Sequence, residues 1–131
     1  MMKLDEAIDY LQPIADNAEL SGYSEALAVA LDTMKAQESA KTIYRAALET
    51  FGAEAQTKML FEEIGELMTA ICQYSRGRDK VAHVAEEIAD VRIMLDQMAV
   101  LFDCEAEVER QRRYKLRRLE QRIEEANHGQ H

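Results

Sequence analysis

The chain has 131 residues, 47% of them hydrophobic and 31% charged, with a formal net charge of -9. That length and mix suit one globular domain with a real core and exclude a disordered chain, while the acidic balance disfavours partners that present phosphate, whether nucleic acid or an anionic membrane. No apolar run approaches the roughly 18 residues of a membrane span, and Cys72 and Cys104 form neither a CxxC nor a close pair, so the expected compartment is a reducing cytoplasm.

One Pro and five Gly in so long a chain predict helices joined by short turns, an all-α fold. The start, "MMKLDEAIDY", brings acids at once with no apolar stretch after them, unlike a secretory signal. A short helix is expected over residues 4–11, with Ala7, Ile8 and Leu11 at helical spacing and Pro13 following. "NAELSGYS" reads as a connection in which Ser24 N-caps a second helix, "SEALAVALDTMKAQ". Residues 1–39 thus form an N-terminal helical extension, too small to fold alone. A third helix is expected over 40–50, stopped by "FG", where Gly52 suits a left-handed C-terminal cap. Long helices follow over 53–74 and 80–102, separated by "SRGRD", and a last helix over 104–126 that Asp103 can cap, so that 40–126 make the main helical domain and 127–131 a disordered tail. The last helix carries "ERQRRYKLRRLEQR", with seven of the sixteen Lys and Arg of the chain.

The two long helices carry "FEEIGEL" and "AEEIADV". At about 100° per residue, Leu60, Ile64, Leu67 and Ile71 form an apolar stripe on the first, with Glu63 at its edge, Glu66 further round on the same side, and Glu62 nearly opposite. On the second, Val84, Ile88, Val91, Leu95 and Phe102 form the stripe, Glu87 borders it, Asp90 lies beyond on the same side and Glu86 points away. Two helices joined by a short turn are expected to be antiparallel neighbours, so the acid edges converge. Acids spaced i,i+3 with acids repel rather than pair, and carboxylates at a core edge cost desolvation. A cation among Glu63, Glu66, Glu87 and Asp90 relieves both, and an all-oxygen set suits Mg²⁺, or Mn²⁺ as its substitute. The bland alternative is a solvated acidic face. A di-iron site is disfavoured, since it needs a Glu-x-x-His from each of two helices and only one, Glu125–His128, occurs. His83 lies one turn before Glu87 on the acid side, within reach of the site, although a plain surface histidine at a helix start is the commoner case. Met68, Cys72 and Tyr74 read as core by their spacing.

Glu63-x-x-Glu66, twenty intervening residues, then Glu87-x-x-Asp90, framed by "FGAEAQTKMLFEEIGELMTAI", "EEIADVRIMLDQM" and "YKLRRLEQRI", resembles the MazG-like all-α nucleotide pyrophosphohydrolases over about residues 42–124. The resemblance implies a helical bundle of the all-α NTP pyrophosphatase type, assembled as a homodimer or homotetramer. It implies cleavage of nucleoside triphosphates between the α and β phosphates, with Glu63, Glu66, Glu87 and Asp90 holding Mg²⁺ and a glutamate of the first pair, Glu63 or Glu66, taking the proton of the attacking water. Lys115, Arg118 and Arg122, at i, i+3 and i+7 of the last helix, resemble phosphate-gripping residues of the family, as does Lys58, which alternatively pairs with Glu62. Leu119 stands where the family often has Asn. Glu62 and Glu86 match the acids that often precede each motif. Residues 1–39 fall outside the resemblance. Two other functions remain open on the sequence: phosphoribosyl-ATP pyrophosphohydrolysis on the same fold, and a non-catalytic, phage-type helical interaction module.

Overall fold

A computed structural model describes residues 2–17 and 23–129. Among these residues the chain is all-helical: α1 (Leu4–Ala15), α2 (Ser24–Phe51), α3 (Ala53–Ser75), α4 (Val81–Leu101) and α5 (Glu105–His128). None is long and apolar enough to cross a membrane. Two compact units result, Met1–Thr50 and Phe51–His131.

In the first unit, α1 starts with a capping box in which Lys3 N–H donates to Glu6 Oε2 at 3.0 Å. It runs past Pro13 to Ala15, beyond the end expected at residue 11. Pro13 lacks the N–H that would bond the Asp9 carbonyl and crowds that carbonyl, but only Ile14 and Ala15 follow it, so the cost is confined to the last turn. Lys35 Nζ donates to Gln12 Oε1 at 2.6 Å and ties α2 to α1. The expected connection over 17–24 falls largely outside the described residues, as does the side chain of Ser24. The helices expected over 24–37 and 40–50 are one: α2 contains neither Gly nor Pro, and "ESA" offers nothing to stop it. The boundary expected after residue 39 therefore lies inside a helix, and the units divide near residue 50 instead.

Gly52 alone separates α2 from α3. Its φ of 88° is positive as expected, but its ψ of 152° is extended rather than left-handed helical, a region essentially closed to residues with a Cβ. In the second unit α3 and α4 are joined through Gly77, at φ 69°, and pack along their lengths. Thr57 near the start of α3 meets Met98 near the end of α4, Oγ1 to Sδ 3.8 Å, so the two run antiparallel as expected.

The contact is rotated roughly 50° about each axis from the expected stripes. Buried or half-buried positions on α3 include Gln56, Leu60, Glu63, Leu67 and Ala70, and on α4 Val84, Glu87, Val91, Met94, Met98 and Leu101, with Thr57, Gln73, Asp90, Gln97, Ala99 and Val100 beside them. The series from Gln56 to Ala70 and from Val84 to Leu101 follow the alternating 3–4 spacing by which paired helices interlock. The expected stripes share the rows Leu60–Leu67 and Val84–Val91 with this seam. Their other rows face outward, with Ile71 46%, Leu95 50% and Phe102 69% exposed. Met68, Cys72 and Tyr74 are likewise exposed rather than core. The rotation places Glu63 and Glu87 in the seam instead of at its border.

At the turn into α5, Asp103 adopts a positive φ of 50° and Cys104 occupies the N-cap without a side-chain hydrogen bond, so Asp103 is not the cap. The helix continues to His128, past the expected start of the tail at 127, and has no buried residue; Gln130 and His131 lie outside the described residues.

Two glycines separate backbone strain from helix propensity. Gly52→Ala is expected to lower urea stability by about 1–3 kcal/mol. Gly65→Ala, at a mid-helix site where an added Cβ meets nothing within 4 Å, is expected to raise it by about 0.5–1 kcal/mol. Equal effects would contradict the backbone assignment.

Candidate functional site

The alternating spacing of α3 brings Glu63 onto the seam and Glu66 one step round onto its flank, while the same spacing in α4 brings Glu87 inward. One carboxylate oxygen from each of Glu63, Glu66 and Glu87 lies within 4.8 Å of the others. Glu87 is the most enclosed, with 6% of its surface exposed, Glu63 is half-buried and Glu66 exposed. Asp90, half-buried, falls outside this three-way grouping. It is nonetheless the neighbouring charge with the greatest effect on Glu63. Burial first, then the charges of Asp90, Glu66, Glu87 and Glu62, hold the Glu63 carboxyl above its usual range.

Beside the cluster an open groove of about 430 Å³ is lined by Glu62, Gly65, Glu66, Thr69, His83 and Glu87. Glu62, read from the sequence as facing away, is exposed but borders this groove, a consequence of the rotated seam. Gly65 and Thr69 gave no sequence signal of their own. They become visible only once the seam is known, because Glu62, Gly65, Glu66 and Thr69 are spaced to share one flank of α3.

His83 connects the cluster to the turn that precedes α4. Its Nε2 lies 2.9 Å from Glu87 Oε1 and its Nδ1 2.6 Å from Asp79 Oδ2. Asp79 Oδ1 in turn accepts the backbone N–H of Lys80 at 2.7 Å. The hydrogen bond and the charge of Asp79, reinforced by Glu87, raise the pKa of His83. The bonds from His83 and the Lys80 amide lower that of Asp79. The second Glu87 oxygen, Oε2, is buried and has no hydrogen-bond partner among the described residues.

This donor set fits a hard divalent cation. It is oxygen-only, it converges, and it includes a buried carboxylate oxygen that no protein donor satisfies. The basic residues stand apart from it. Lys58 pairs with Glu54 at 3.0 Å rather than with Glu62. Lys115, Arg118 and Arg122 share a separate shallow depression on α5 with Leu119, and Arg118 also lies over the Tyr114 ring, 5.9 Å from its centroid. Comparison with protein-family models, with curated proteins and with solved structures finds no match for this chain.

Two pH effects follow. A carboxyl whose folded pKa lies above its unfolded value holds its proton more firmly when folded, so ionising Glu63 costs stability as pH rises above about 4.5. Glu63→Gln should therefore stabilise the metal-free protein at pH 7, by about 0.5–2 kcal/mol in urea, with the gain shrinking toward pH 4.5. A destabilised Glu63→Gln protein would contradict the placement of this side chain. For His83, with its raised pKa, and Asp79, with its lowered one, the contribution to stability is full between about 3.8 and 6.5. It is lost above that window as pH rises through the folded pKa of His83, and below it as pH falls through that of Asp79. Asp79→Asn should lower the His83 midpoint seen by NMR; an unmoved midpoint would exclude the pair.

Proposed function

We propose that the chain is a divalent-cation-dependent nucleoside triphosphate pyrophosphohydrolase of the MazG-like kind, converting a triphosphate to the monophosphate and pyrophosphate. The observation that carries this reading is the convergence of Glu63, Glu66 and Glu87 beside a groove, with Glu87 Oε2 buried and unpartnered. Glu63, Glu66, Glu87 and Asp90 are the residues to hold Mg²⁺, or Mn²⁺ in its place. When bound, the ion neutralises triphosphate charge and makes a bound water acidic enough to attack. Glu63 or Glu66 accepts the proton of that water. The water oxygen bonds to the α-phosphorus while the bridging bond to the β-phosphate oxygen breaks, and the electron pair leaves on pyrophosphate. Glu62 lines the groove beside them. Lys115, Arg118 and Arg122 supply an anion-binding surface suited to outer phosphates, and Lys58, exposed and paired with Glu54, can turn toward one.

A homodimer or homotetramer belongs to the same reading. Ile71, Leu95 and Phe102, with Phe61 and Met68, are large apolar side chains left exposed on the second unit, the kind of surface a partner covers. A second copy covering it would complete a bundle around α3 and α4. Sedimentation should give two or four times 15.0 kDa, and Ile71→Lys should shift the mass toward one chain. A monomeric wild-type protein would contradict this part of the reading.

The activity is tested by pyrophosphate release with Mg²⁺ across a panel of canonical, deoxy and modified nucleotides together with phosphoribosyl-ATP. Turnover of at least one nucleoside triphosphate is expected. Glu66→Gln should reduce it by about 10²–10³, the scale for losing a group that manages transition-state charge, with helicity unchanged. No turnover across the panel would overturn the assignment, and turnover of phosphoribosyl-ATP alone would redirect it.

A further inference from the structure

Glu87 presents an oddity that the cluster alone does not explain. A carboxylate on a long helix side chain ordinarily swings between rotamers, and a loose ligand binds a cation weakly because its ordering costs entropy on binding. Here one of its oxygens is held and the other is left open. Residues 79, 83 and 87 are spaced four apart along the approach to α4 and its first two turns, which stacks their side chains on one face. Side-chain exposure along the row is 19% for Asp79, 47% for His83 and 8% for Glu87. At the outer end, Asp79 is anchored through both oxygens, Oδ1 by the Lys80 amide and Oδ2 by His83 Nδ1. At the inner end, His83 Nε2 meets Glu87 Oε1. Both ring nitrogens face a carboxylate oxygen, so the ring has no freedom to flip without breaking both contacts.

We propose that His83, held by Asp79, is a positioning residue that fixes the Glu87 carboxylate with Oε2 open to a divalent cation. The inference rests on the metal reading of Glu63, Glu66 and Glu87, and it adds the outer partners on which that site depends. Its physical basis is general. Ligands to metals are oriented by hydrogen bonds from groups that never touch the metal, and loss of such a partner typically costs about 10–100-fold in affinity. A carboxylate is planar, so fixing Oε1 fixes Oε2. His83 also places a donor against a buried carboxylate that has other acids within 4.8 Å, which lowers the cost of bringing that charge inward. The row starts in the turn after Gly77, so the fold of that turn and the affinity of the site are coupled.

The test is Mn²⁺ binding to the full chain, read from the free-ion electron paramagnetic resonance signal, with circular dichroism on each variant. Gln places its amide nitrogen near the position of Nε2 of a histidine, whereas Asn reaches only as far as Nδ1. Thus His83→Gln can keep the bond to Glu87, and His83→Asn can keep only the one to Asp79. The expected order is wild type, then His83→Gln within about threefold, then His83→Asn and His83→Ala weaker by about 10–100-fold, all with wild-type helicity. Combining His83→Ala with Glu87→Gln should weaken binding no further than Glu87→Gln alone, because His83 acts through Glu87. If the wild type binds Mn²⁺ and Glu87→Gln abolishes it while His83→Ala does not change it, the positioning role is overturned and the metal site stands. Equal loss in His83→Gln and His83→Asn overturns it as well, since the bond to Glu87 would then not be what matters. A wild type that binds no Mn²⁺ overturns both the site and the inference.

Discussion

Glu63 and Glu87 meet across the packed contact of α3 and α4, and most of what is distinctive in the second unit depends on that encounter. Like charges within 4.8 Å repel by about 1 kcal/mol even at the dielectric of water, and by more where water is displaced. Burial adds its own penalty to each ionised group. Helices joined by a short turn could avoid both costs by turning their acids outward. Here the seam turns them inward, and Glu63 responds by holding its proton more firmly. Asp79 and His83 relieve one oxygen of Glu87 and leave the other without a donor. A cation at the remaining oxygens is the simplest term that balances the set.

The same rotation of the seam links the site to assembly. Both α3 and α4 carry a shared apolar row flanked by two further rows, one apolar and one bearing acids. The acid-bearing rows, Glu63–Ala70 and Glu87–Met94, are spent on the contact between the helices. The apolar rows, Ile64–Ile71 and Ile88–Leu95, are thereby left outward. Among the described residues of the second unit the buried apolar side chains are Ala70, Met94 and Met98, a small core for a stable fold. Site and outward surface are two results of one packing choice: helices that use their acid-bearing flanks to bind one another keep their most apolar flanks for something else.

Much of this was legible in the residues. The scarcity of Gly and Pro gave the helices, the "SRGRD" break gave the antiparallel pair, and the i,i+3 acids picked out Glu63, Glu66, Glu87 and Asp90, of which the first three converge. The side of the seam was not legible, because a helical wheel weighs apolarity, and Leu60, Leu67, Val84 and Val91 belong to both possible faces. Apolarity favoured the face with Ile64 and Ile88, whereas the contact within the chain took the other. The helix α2 runs through residue 39 because no residue there opposes helix, and the sequence carries no signal that joins the two expected segments. Asp103 turns out to precede the cap, because its positive φ of 50° places it in the turn and Cys104 takes the N-cap position. His83 was noticed, but its role depends on Asp79, which a reading centred on the acid motifs passed over.

The central claim is that Glu63, Glu66 and Glu87 form one cation site. Crystals grown with Mn²⁺ and measured at a wavelength where manganese scatters anomalously test it most directly. The account predicts an anomalous peak with oxygens of all three glutamates about 2.1–2.3 Å away, the distance expected for a hard divalent ion of this size, and Asp90 beside it. A fully loaded crystal with no peak there, or with the ion bound elsewhere while these carboxylates face solvent, would contradict it.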